Sequence, residues 1–174
     1  MKLRLFMILL LLTASGQSNA ADEVVLTFNI PSRMGVPIGQ STVPGYEDSI
    51  DVLAWSLGFN NVDNTPVVLP LSISKQIDLS SARLVQSAIA GQVFDEVWLT
   101  VTDPGVGSQF SLRLVLNQAR IVSVSAGGVD GTTDSSNENL AISCESFSLT
   151  VNARDANGNF TDDAPQVSGG TCGG

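Results

Sequence analysis

The 174-residue sequence contains no histidine. That removes the most frequent general base and the most frequent metal ligand. Serine is plentiful, yet no G-x-S-x-G occurs and no imidazole is present to activate a hydroxyl. The chain has no phosphate-cradling glycine loop, no Cys-x-x-Cys and no basic aromatic platform for nucleic-acid bases. Cations are scarce as well, with eight Lys and Arg against 17 Asp and Glu. So acidic a chain repels nucleic acid and anionic membrane surfaces, and no nucleic-acid partner is predicted. The acids fall mainly in polar, turn-forming stretches: Glu47, Asp48 and Asp51; Asp130, Asp134 and Glu138; Asp155, Asp162 and Asp163. Solvation is their expected role, so the sequence predicts no catalytic residue, no metal site and no cofactor. Asp155 to Asn159 resembles the opening of a calcium loop, but the glycine is out of place and the closing Glu is missing. Asn157-Gly158 reads instead as a tight turn.

Long apolar runs are also few. Leu5 to Leu12 is wholly apolar, follows Lys2 and Arg4, and precedes the small residues Ser18-Asn19-Ala20. It is too short to span a bilayer, and the three-part order is that of a cleaved signal peptide over residues 1–20. The cut is expected near Ala20/Ala21, giving a secreted or periplasmic protein with no membrane attachment after cleavage. No cysteine stands directly after the cut, so no lipid anchor is predicted. Without those 20 of 174 residues, 154 remain; six cations then face 17 acids, a net charge of −11. This length suits one domain with a real core, assigned to residues 21–163, followed by a flexible, Gly-rich tail over 164–174.

Within the domain, period-two alternation dominates. Leu26, Phe28 and Ile30 mark a first strand, followed by a Gly- and Pro-rich loop from Pro31 to Ser49. Ile50 to Phe59 is apolar on both parities, which predicts a strand buried on both faces. Leu69, Leu71, Ile73 and Ile77 share one parity, and Val97, Leu99 and Val101 another strand. Between them, Leu84, Val85, Ala88 and Ile89 fall at helical spacing. Asp78, Ser80 and Ser81 are candidate N-caps and Gly91 the left-handed stop. Asp103-Pro104-Gly105 is a turn. Phe110 to Leu116 and Ile121 to Ser125 are strands expected to join through a bulge near Asn117. Gly127 to Asn139 reads as a polar loop. Leu140 to Asn152 is a last strand whose parity slips between Cys144 and Phe147, as a bulge would cause. The result is a mainly β domain of about seven strands with one short helix, either barrel or sandwich.

The two cysteines gain meaning from export. In an oxidising compartment a Cys144–Cys172 disulfide would tie the tail to a strand and add ~3–4 kcal/mol by the loop-entropy estimate. The alternative is a buried thiol at Cys144 and a loose one at Cys172.

Several stretches together resemble one family. They are Ile50-Asp51-Val52-Leu53-Ala54-Trp55-Ser56-Leu57-Gly58 and Leu71-Ser72-Ile73-Ser74-Lys75-Gln76-Ile77-Asp78, then Ser81-Ala82-Arg83-Leu84 and Ala88-Ile89-Ala90-Gly91. Glu96-Val97-Trp98-Leu99-Thr100-Val101, Leu114-Val115-Leu116-Asn117, Ile121 to Ser125 and Leu140 to Val151 follow in the same order. This resembles the Hcp (haemolysin-coregulated protein) family, the tube proteins of bacterial type VI secretion, over about Val24 to Phe160. The resemblance implies a two-sheet β-barrel with the helix on its flank. It also implies a homo-oligomer: a hexameric ring whose copies stack into a tube that carries or presents a secreted effector or meets a spike protein. The family role is structural, with no active site to transfer. Two features set this sequence apart, its signal segment and the short Asn60 to Val68 stretch where the family has a longer loop. The competing reading is an exported stand-alone binding or surface module that reuses the fold.

Overall fold

A computed structural model describes residues 22–29, 35–62, 65–102, 110–128, 136–152 and 166–173. The expected signal segment, the Asp103 turn and the calcium-like stretch lie outside the described residues. Eleven strands and one helix follow in chain order: β1 (Glu23–Asn29), β2 (Ile50–Asp51), β3 (Ala54–Ser56), β4 (Phe59–Val62), β5 (Thr65–Val68), β6 (Leu71–Gln76), α1 (Ser81–Ala90), β7 (Val93–Thr102), β8 (Phe110–Gly127), β9 (Asn137–Ser143), β10 (Ser146–Val151) and β11 (Gln166–Gly169). Nine strands form one antiparallel sheet with the path β2-β1-β7-β8-β9-β6-β3, while β10 lies between β8 and β11; β4 and β5 pair separately. The mainly β fold with one short helix is the one the sequence implies.

Alternation places the core. Leu26 and Phe28 of β1, Val97 and Leu99 of β7, and Leu114 and Leu116 of β8 are buried and come from adjacent strands. Their inward faces supply most of the burial energy, at about 25 cal/mol per Å² of apolar surface removed from water. The opposite parity of this region is covered too, since Val25, Thr100 and Thr102 are also buried. The Gly- and Pro-rich loop folds back here, with Ser49 Oγ 2.7 Å from Thr27 Oγ1. A side chain at position 39 would put its Cβ 2.0 Å from the Ser49 carbonyl oxygen, so only glycine permits that approach.

The two stretches between Phe110 and Ser125 are one continuous strand, β8. Its inward parity changes between Leu116 and Ala119, both fully buried. Gln118, with φ 49°, is the one non-glycine residue of positive φ among the described residues, and it carries the change. Opposite it, β9 and β10 slip as well: Ile142 pairs with Ile121, and Phe147 with Leu116. The phase slip legible between Cys144 and Phe147 is therefore matched by a partner slip in β8. Both strands turn their faces at the same level, and the core stays continuous.

The predicted double-faced strand Ile50–Phe59 is broken. Ile50 pairs with β1, and four residues later Ala54 pairs with β6. β1 and β6 stand next to the opposite ends of the strand path. The Val52 N–H donates to Val24 O at 2.9 Å and the Leu53 N–H to Ser74 O at 2.9 Å, so neighbouring amides stitch the two ends together. A segment bonded to two strands in turn cannot continue one ladder. That is why a single apolar run yields three short pieces.

The helix runs Ser81–Ala90 with Gly91 left-handed at φ 59°, as its sequence predicts. Leu84 and Ser87 are its buried residues, whereas Val85 and Ile89, counted from spacing as part of its apolar face, are exposed. At the other end of the chain, the stretch read as a flexible, Gly-rich tail contains β11, which pairs with β10.

Candidate functional site

The least expected feature is a buried charge cluster beneath the start of α1. Lys75 follows Ile73 on the inward parity of β6 and is fully buried. Its ammonium has three donors and uses each: Gln76 O at 2.6 Å, Asp78 Oδ1 at 2.9 Å and Glu138 Oε1 at 2.7 Å. Ser81 Oγ donates to the same Glu138 oxygen at 2.8 Å, and the Ser80 N–H and hydroxyl donate to Asp78 Oδ1 at 2.8 and 2.6 Å. One ion cluster thus joins β6, β9 and the helix start. The helix N-cap is Ser80 by position, but its own side chain caps no helix N–H.

Burial raises the Asp78 pKa, but the Ser80 hydroxyl, Lys75 and the Ser80 N–H outweigh it and hold the carboxyl below its ordinary value. Glu138, read from sequence as a solvated loop acid, is instead 1% exposed within β9. The signal was present: Glu138 shares parity with Leu140 and Ile142, and Lys75 shares parity with Leu71 and Ile73. A buried pair of opposite charge on adjacent strands satisfies both patterns. The loop reading failed because it extended a polar stretch over the first residues of a strand.

Glu47 is held below its ordinary pKa chiefly by the Gly45 N–H, which donates to Oε1 at 3.0 Å. No group of three or more His, Cys, Asp or Glu among the described residues could hold a metal ion. A shallow hollow of about 460 Å³ lies over β3, β6 and β9, lined by Ser56, Ser72, Ser74 and Asn139 among others. None of its lining residues titrates in the physiological range, so it offers hydroxyl and amide contacts rather than acid–base chemistry.

Large apolar side chains also stand outside the core. On the β side, Leu53 is 56% and Phe59 53% exposed, with Leu69 beside Gly58 also exposed. The expectation that Ile50–Phe59 is buried throughout is corrected here: Ile50 is buried, whereas Val52, Trp55 and Leu57 are only partly so. On the helix side, Leu79 and Ile89 are exposed. The cysteines of the sequence reading, Cys144 and Cys172, are joined in the structure with Cα atoms 4.9 Å apart.

Solved structures of type VI secretion proteins share this architecture. A structure described as a type six secretion system protein superposes with a TM-score of 0.71 at 18% identity, covering 87% of this chain and 93% of that one. Hcp1 from Salmonella typhimurium gives 0.67 at 17% identity, covering 86% and 95%. Hcp1 from E. coli EAEC 042 gives 0.69 at 19% identity, covering 85% and 98%. The fold is that of the type VI secretion tube proteins.

No curated protein matches by sequence. The family model described as "Type VI secretion system effector, Hcp" matches residues 22–151, and the chain belongs to this family.

Proposed function

We propose that this protein is a non-enzymatic, ring-forming component of the Hcp type, exported after cleavage of residues 1–20. In this reading six copies close head to tail, because identical subunits meeting at unlike surfaces form a ring when the rotation permits. The observation that supports it is the exposure of three large apolar side chains, Leu53, Phe59 and Leu69, outside the core. Apolar side chains left in water gain from a partner that covers them. A ring would offer a secreted effector or spike protein a repeated surface, and the hydroxyl-rich hollow over β3, β6 and β9 suits contacts by hydrogen bonding. No catalytic residue or cofactor enters the proposal.

Light scattering on the protein lacking residues 1–20 tests it. A hexamer that strengthens with added salt is expected, since six copies of charge −11 repel one another and salt screens that repulsion. A monomer at every concentration and salt would overturn the ring and favour a stand-alone binding or surface module.

A further inference from the structure

Residues 166–173 lie beyond the family match, which ends at residue 151. β11 covers the edge of β10 that faces away from β8, with Phe147 opposite Gly169 and Thr150 opposite Gln166. Its side chains bury little: Gln166, Val167 and Ser168 are exposed. A strand of four residues without a buried face has little to hold it beyond its backbone hydrogen bonds. Gly169 lies flush on the Phe147 ring, where a Cβ would come within 2.6 Å of a ring carbon.

The fixing point comes three residues later. Cys172 is 1% exposed and exchanges both backbone hydrogen bonds with Cys144, at 3.0 and 2.9 Å. It also carries the bridge to Cys144, and the following Gly173 N–H donates to Val68 O of β5 at 2.8 Å. Cys144 stands between β9 and β10, where the next neighbour of the strand changes from β6 to β11. One covalent link therefore secures a weakly buried strand at the point where the β10 edge begins.

We propose that the Cys144–Cys172 bridge is a redox clasp on a removable edge strand. Oxidised, it keeps β11 over β10. When a dithiol reduces it, the segment 166–173 detaches and leaves the β10 edge with unpaired backbone groups, open to another strand. In that step the dithiol is oxidised to its cyclic disulfide. The Cys144–Cys172 bond breaks, and each sulfur takes one electron and one proton to become a thiol. Disulfides persist in oxidising compartments and are reduced in the cytosol, so the state of this edge reports the compartment. The clasp does not depend on ring formation through the Leu53 surface.

Hydrogen exchange by mass spectrometry on the oxidised protein, before and after dithiothreitol, is the test. The expected result is exchange at least tenfold faster in residues 166–173, with partial loss of protection in 146–151 and none in 71–76. Reoxidation restores the original pattern, and Cys172→Ser reproduces the fast pattern without reductant. Unchanged protection of 166–173 after complete reduction overturns the clasp. So does a uniform loss across all strands, which would make the bridge a staple of the whole fold. Two free thiols in protein isolated under non-reducing conditions overturn it as well.

Discussion

Lys75 Nζ lies 2.7 Å from Glu138 Oε1 inside the sheet, although 63 positions separate the two residues. Taking two charges out of water costs nearly as much as their attraction returns, so the pair contributes little net stability. Removing one partner is different, because it strands the other charge in the interior. Lys75→Met and Glu138→Leu are each expected to cost about 3–5 kcal/mol, and the double substitution less than their sum. Urea denaturation at neutral pH measures this, and singles within 1 kcal/mol of the parent would contradict it.

Asp78 gives the same cluster a pH dependence. Its folded pKa lies below the ordinary value of 3.8, so its contribution is present above that value and is lost as pH falls through the folded pKa. Asp78→Asn should therefore destabilise the protein at pH 7, and the difference from the parent should shrink progressively below about pH 4. Denaturation midpoints taken at intervals from pH 7 to pH 2 decide it. A constant difference across that range would remove the carboxylate from the account.

Gln118 adopts a left-handed backbone with φ 49°, a conformation that costs a non-glycine residue about 1–2 kcal/mol. Gln118→Gly is expected to stabilise the protein by about 0.5–1 kcal/mol, and Gln118→Ile to destabilise it by about 1–2. Thermal denaturation of both variants checks the order. Equal midpoints would mean that the parity change in β8 does not depend on this residue.

The proposed ring is held by β surfaces rather than by the helix, and two exposed residues separate these possibilities. Leu53→Asp should abolish the oligomer in light scattering while changing monomer stability by less than about 0.5 kcal/mol. Ile89→Asp, on the helix, should leave the oligomer intact. Loss of assembly with Ile89→Asp alone would move the interface to α1.

Export rests on the Lys2 to Ala20 pattern. Mass spectrometry of protein recovered from the native host should find a chain beginning at or near Ala21. Recovery with Met1 to Ala20 intact would end the signal-peptide reading.

Much of the fold is legible in local patterns, because a strand or helix advertises itself by the period of its buried side chains. Leu26 and Phe28, Leu71 and Ile73, Val97 and Leu99 all fall where alternation places them. Gly91 stops the helix because its αL conformation is a property of the residue itself. The slip between Cys144 and Phe147 is visible for the same reason, since parity is counted within one strand. Tertiary structure alone decided how those strands were partnered. Periodicity states that Ile50–Phe59 is apolar, but not that its amides bond first to β1 and then to β6, leaving Leu53 outside. Nor can one strand read alone show that the inward Lys75 is neutralised by Glu138 of the neighbouring strand. The energy of a buried charge depends on what lies a few ångströms away in space, and neighbours 63 positions apart leave no period in the sequence.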